Sequence, residues 1–265
     1  MIKETETQKV VGQAARRLLE YGMVKHGYVM LQEPQAFCLV PRGNTFDISI
    51  HKRVWDKGTQ RKRAAEIALS LLGCNLPDSQ PLSPEGVKTT TDVRLDYRMW
   101  KDNFKRCYND LTDLKSGHSS KANSCVFTMV HPVIRHKPCV IYAQFGVYED
   151  NLQLTVNARA THLFMLYENL FRYINLQLLF SSLLQLRLGC LYFMSNNLHV
   201  HEDQHVHLSD YLELAPQSKR SLGPRTLTLE DYDRDRRLIR SGKYDEVTWS
   251  VFRELIDQMD RTNPH

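Results

Sequence analysis

Six side chains able to do chemistry stand where apolar, strand-like segments begin or end. Cys139 opens one such segment after His136-Lys137-Pro138, Arg159 closes the next, and Asn196, Asn197, His199 and His201 follow a third. Loops at the ends of strands are where α/β folds gather the polar groups of a site. A thiol, a guanidinium, two amides and two imidazoles could therefore meet around one ligand. The same residues also read as ordinary loop polars, and Cys139 as a small buried hydrophobe. His199, His201, His205 and His207 are spaced as one strand face would be. That spacing suits metal ligation, but it fixes no carboxylate or cysteine partner, and no metal is predicted.

The elements that must position these groups follow from hydrophobic periodicity. Residues 4–22 read as an amphipathic helix with Val10, Val11, Ala14, Leu18 and Leu19 on one face. Residues 37–39 are a short apolar run and 46–50 alternate as a strand, with a turn at Pro41-Arg42-Gly43-Asn44 between them. A helix is predicted over 61–72, stopped by Gly73, and another over 97–115. Between them, residues 75–92 hold three prolines and form a long loop or lid. Segments 125–130 and 139–148 read as strands. Glu149-Asp150-Asn151 reads as a turn, and 152–156 as the hairpin partner. Residues 162–188 are apolar almost all round, which predicts a buried helix, and 191–194 a buried strand. Residues 202–265 are polar, with a last amphipathic helix over 245–259. The pattern predicts one α/β or α+β domain over 1–265.

Composition narrows the function classes. At 42% hydrophobic and 25% charged, the 265 residues have the make-up of a soluble globular chain that needs no staples. The net charge of +5 suits a phosphate-bearing ligand, and no basic tail or repeat points to a nucleic-acid polymer. Cysteines 38, 74, 107, 125, 139 and 190 contain no C-x-x-C pair. The polar opening MIKETETQK predicts no secretion leader, hence free thiols and a cytoplasmic location. The longest apolar run, 176–188, is broken by Gln177, Gln185 and Arg187, so no membrane span is expected.

Several motifs in order carry a resemblance. Pro138-Cys139 is followed by Ile141-Tyr142-Ala143-Gln144-Phe145. Then come Ala158-Arg159-Ala160-Thr161-His162-Leu163-Phe164, Tyr167-Glu168-Asn169-Leu170, Gly189, and Asn196-Asn197-Leu198-His199-Val200-His201. Upstream stand Glu66 with Gly73, and Arg42-Gly43-Asn44-Thr45. Together these resemble the thymidylate synthase and pyrimidine nucleotide hydroxymethylase family, with the best match over 138–201.

The resemblance implies a three-layer domain, a large mixed sheet with a long buried helix behind it, and a homodimer. It implies folate-dependent one-carbon transfer to C5 of a pyrimidine nucleoside monophosphate, with 5,10-methylenetetrahydrofolate as the carbon donor. A pyrimidine C5 is a poor nucleophile until a thiolate adds at C6. Cys139 would be that thiolate, and Arg159 would both favour its ionisation and hold the phosphate. Arg42 would be a second phosphate ligand, Ala160 would line the site, and Asn169 would read the base edge. His199 and His201 would meet the sugar, and Glu66 would move protons at the ring carbonyl. Asn169 also reads as a helix N-cap, Arg42 as a turn residue and Glu66 as a solvated helix residue.

Departures from the family fall on substrate contacts. Val140 stands where the family has His, Ala160 where it has Ser, His162 and Asn197 where it has Asp, and His201 where it has Tyr. The partner-lent arginine pair is not visible near 123–125, where Lys121 is the nearest cation, nor is the family's closing segment. Ala160 in place of Ser makes room for a ribonucleotide's 2′-hydroxyl, as in CMP hydroxymethylases, and loss of a closing segment admits water, which favours a hydroxymethyl over a methyl product. A diverged thymidylate synthase and an inactive nucleotide- or partner-binding relative are the alternatives.

Overall fold

The structure, a computed structural model, describes residues 1–47, 97–117, 126–128, 139–209 and 226–228. The expected helices at 61–72 and 245–259, the loop at 75–92, Glu66 and Lys121 lie outside the described residues. In chain order the strands are β1 (Ile2–Glu4), β2 (Met23–Lys25), β3 (Tyr28–Met30), β4 (Gln35–Leu39), β5 (Thr45–Asp47) and β6 (Val126–Thr128). They continue with β7 (Val140–Tyr148), β8 (Asn151–Ala158), β9 (Thr161–His162), β10 (Arg187–Ser195), β11 (Leu198–His201) and β12 (Thr226–Thr228). The helices are α1 (Thr7–Tyr21), α2 (Tyr97–Lys115), α3 (Leu163–Leu184) and the single turn α4 (Glu202–His205). Helices and mixed sheets place the chain in the α+β class.

The main sheet has six strands in the order β1-β4-β10-β8-β7-β6. Alternation along β8 decides which side is covered. Leu152, Leu154, Val156 and Ala158 are buried, while Asn151, Gln153, Thr155 and Asn157 are half-buried on the other face. α3 lies on the buried face against β8 and β10, flanked by α1 near β1 and β4 and by α2 near β6 and β7. Phe180 packs on Phe145 with ring centroids 4.7 Å apart, and Tyr173 on Phe193 at 6.4 Å. A smaller sheet, β2-β3-β11-β9, continues from one end of the first, and β12 pairs with β5.

Where the sequence predicts a single helix over 162–188, the structure has α3 ending at Leu184 and β10 starting at Arg187. Gln185 turns left-handed at φ 51°, and the Leu186 N–H closes on the Ser181 carbonyl at 3.0 Å. That is a Schellman stop built without glycine, so composition does not announce it. The hairpin turn is sharper than expected: Glu149 and Asp150 both have positive φ, 48° and 62°, and β8 takes Asn151 as its first residue. No helix among the described residues is long and apolar enough to cross a membrane.

A buried amide repairs an irregularity in the sheet. The β8–β10 register shifts between Leu188 and Leu191, and a Cβ on Gly189 would meet Gln153 Cγ at 2.7 Å and the Leu152 carbonyl oxygen at 2.9 Å. Gln177, fully buried on α3, donates through Nε2 to the Leu152 carbonyl at 2.7 Å and the Gly189 carbonyl at 2.9 Å. Gln177→Leu strands both acceptors in the core and is expected to cost about 2 kcal/mol of stability. Urea unfolding tests this, and a change within about 0.5 kcal/mol would mean that water or the backbone replaces the amide.

Candidate functional site

One row of paired residues runs across four strands. Val140 of β7 pairs with Ala158 of β8, Ala158 with Ser195 of β10, and Ser195 with Gln35 of β4. β7 starts at this end of the sheet, whereas β8 and β10 finish there. One step beyond the row stand Cys139, Arg159 and Asn196. The Arg159 N–H donates to the Cys139 carbonyl at 2.8 Å, and the Asn196 N–H to the Ala158 carbonyl at 2.9 Å. Residues twenty and thirty-seven positions apart in sequence, counted from Cys139 to Arg159 and from Arg159 to Asn196, thus become neighbours.

Cys139 is exposed, while Cys38 and Cys107 are buried and Cys190 is half-buried. The reading of Cys139 as a buried hydrophobe is therefore set aside. Arg159 is also exposed, and Ala160 is half-buried beside it. The two chain segments then continue side by side into the smaller sheet, with the Thr161 N–H donating to the Asn197 carbonyl at 2.7 Å and His199 opposite His162.

This second sheet gathers imidazoles. The ring of His162 lies 5.5 Å from that of His199 and 5.3 Å from that of His201, centroid to centroid. Tyr28 packs against His199 at 5.3 Å and His201 at 4.7 Å, and Phe164 lies 5.5 Å from His162. Burial pushes His162 down to about 4, with the neighbouring His199 and His201 adding to the effect. Its Nε2 meets Gln204 Oε1 at 3.0 Å, and its buried Nδ1 has no partner among the described residues. Burial also lowers His199. Among the described residues no group of three His, Cys, Asp or Glu side chains is arranged to hold a metal ion. The rings of Tyr28 and Phe164 that flank the cluster are half-buried.

Cys139, Arg159, Ala160, His199 and His201 are brought to, or lead on from, one end of the six-stranded sheet; Arg42 is not. β4 runs antiparallel to β10, so Leu39 pairs with Leu191, five residues short of Asn196, and Arg42 lies further still. Five residues of strand span roughly 16 Å. Arg42 sits in the β4–β5 turn, where its N–H donates to the Thr45 carbonyl at 2.9 Å. Its guanidinium donates to Thr5 Oγ1 at 2.9 Å and lies 3.5 Å from Glu6 Oε1. Arg42, expected as a second phosphate ligand, thus stands in the β4–β5 turn away from Cys139 and Arg159. The α1 cation that reaches the Gln35 end of the row is Arg17, which donates to Gln35 Oε1 at 2.7 Å.

Asn169 is buried in α3, seventh from its start, so it is not an N-cap. The helix runs back from the site end, and Asn169 is eight residues, roughly 12 Å, nearer that end than Gln177. Sequence reasoning missed two contributors, Tyr28 and Gln204, and singled out His162 only as a departure from the family. The parallel pairing of β9 with β11 and the antiparallel pairing of β3 with β11 bring His162 and Tyr28 to His199, and the helical turn after β11 brings Gln204 to His162. The chain matches no protein-family model, and no curated protein matches it either.

Proposed function

We propose that the chain is a thymidylate-synthase-like enzyme that transfers one carbon to C5 of a pyrimidine nucleoside monophosphate, giving a hydroxymethyl product. One observation carries this reading: an exposed thiol and an exposed guanidinium on adjacent strands, Cys139 and Arg159, at the sheet end that also holds His199. In this reading the three serve as nucleophile, anion ligand and hydroxyl partner for one nucleotide. The Cys139 thiolate would add to C6 and leave C5 with carbanion character. Arg159, always charged and forked, would take the phosphate. Asn169 would read the base from the helix behind, and His199 with His201 would meet the sugar. 5,10-Methylenetetrahydrofolate is the second substrate and supplies the carbon. C5 would bond to the carbon that the folate supplies, the C5 proton would pass to solvent as tetrahydrofolate leaves, water would add to the resulting exocyclic methylene, and the thiolate would leave C6. Methyl transfer to dUMP is the alternative outcome at the same site.

A cytoplasmic location is proposed, in keeping with the free Cys38, Cys107, Cys139 and Cys190. A homodimer is proposed through the sheet face that carries Gln153, Thr155 and Asn157, which no described helix covers. A second reading, a binding protein without turnover, draws support from the position of Arg42, because one arginine fewer faces the phosphate.

The deciding experiment follows tritium released from C5-labelled UMP, dUMP, CMP and dCMP, with and without methylenetetrahydrofolate. Release from one of the four is expected, and the best substrate identifies base and sugar together. No release from any of them by folded protein, with measurable binding of one, would establish the binding role instead.

A further inference from the structure

Two donors hold the Asn197 backbone in place. Its backbone carbonyl accepts from the Thr161 N–H at 2.7 Å and from the Ser195 hydroxyl at 3.0 Å. Its side-chain Nδ2 points at Met30 Sδ, 3.6 Å away, which turns Oδ1 toward His199 Nδ1 at 3.1 Å. An amide oxygen only accepts, so Nδ1 of His199 carries the proton, and in a neutral ring Nε2 is then bare. We propose that Asn197 is a positioning residue that fixes His199 as the neutral Nδ1–H tautomer, so that Nε2 accepts a hydrogen bond from a ligand hydroxyl. The proposal rests on the nucleotide reading only for the identity of that hydroxyl, which is then the sugar's.

The surroundings favour the neutral ring. Burial lowers His199 below its ordinary value, a hydrogen bond to the Asn197 backbone partly opposes this, and His201 adds to the lowering. Among the described residues, the titratable groups facing the cluster are His162 from β9, His201 from β11, Tyr28 from β3 and Asp203 from α4, whose carboxylate acts on His162. A carboxylate in place of the 197 amide would do the reverse. It would hold an imidazolium, and Nε2 would become a donor unable to accept from a hydroxyl.

The test uses the full chain labelled with 15N-histidine. Long-range proton–nitrogen correlation between pH 4.5 and 9 reads the tautomer and pKa of each ring without ligand, and calorimetry reads UMP binding over the same range. Wild type is expected to show protonated Nδ1 and bare Nε2 on His199 at neutral pH, with UMP affinity falling as acid protonates Nε2. Asn197→Asp is expected to raise the His199 pKa by about one to three units and to weaken UMP binding at pH 7 by about five- to tenfold, with recovery toward pH 9. A merely structural role would lower affinity equally at every pH. An Nε2–H tautomer in the wild type overturns the proposal even where the variant fails to fold, and so does an Asn197→Asp profile parallel to the wild type. Wild-type protein that binds none of UMP, dUMP, CMP and dCMP at any pH overturns the nucleotide reading instead, and the tautomer still decides the role of Asn197.

Discussion

Cys139→Ala is expected to lower tritium release from C5 of the accepted nucleotide by on the order of 10^4-fold or more, because removing a covalent nucleophile removes the route itself. Its unfolding free energy is expected to stay within about 0.5 kcal/mol of wild type, since an exposed side chain leaves no cavity when shortened. The pairing of these two results separates chemistry from folding. Alkylation gives an independent reading: iodoacetamide should modify Cys139 ahead of the buried Cys38 and Cys107, and nucleotide should protect it. Cys38 is further slowed because burial, with Cys190 beside it, pushes its thiol up to about 11. A Cys139→Ala protein that still releases tritium at the wild-type rate would place the nucleophile elsewhere and sink the proposed reaction.

Acid should weaken the fold through His162. Its folded pKa of about 4 lies below the ordinary 6.5, so between those values the unfolded chain binds more protons than the folded one, and stability rises with pH. The contribution is fully present above pH 6.5 and is lost as pH falls toward 4. Over that window it amounts to about 3 kcal/mol, on the order of a hundredfold in the folded-to-unfolded ratio. Urea unfolding of wild type and His162→Gln at pH 7, 6, 5 and 4 isolates it, because other titrating groups change both proteins alike. The stability difference between the two is expected to move by that amount in favour of the variant as pH falls. Parallel curves would show that His162 takes up its proton at no cost in the folded state.

Periodicity made several elements legible. Alternation of Leu152, Leu154 and Val156 with Gln153 and Thr155 marks a one-sided strand, and the structure has it as β8. The apolar stripe Val10, Val11, Ala14 and Leu18 marks α1, which starts at Thr7. Such patterns are local, because side-chain direction repeats every two residues in a strand and every 3.6 in a helix. The end of α3 was not legible, because its stop is a left-handed Gln185 closed by a backbone hydrogen bond, and side-chain type does not report either.

Position relative to the strand ends was likewise readable for Cys139, Arg159 and Asn196, since each follows or precedes an apolar run. Whether those ends coincide was not, because direction and register are properties of pairs of strands. β7 antiparallel to β8, and β8 parallel to β10, bring the three together; β4 antiparallel to β10 carries Arg42 to the far end. The imidazole cluster has the same origin. The sequence by itself determined that His162, His199 and His201 are present and that the last two share a strand face. Only the pairing of β9 and β3 with β11 decided that His162 and Tyr28 meet them, and only burial in that pairing decided that His162 and His199 favour the neutral form. The physical reason is that register and desolvation arise from contacts between segments distant in the chain, which no local spacing encodes.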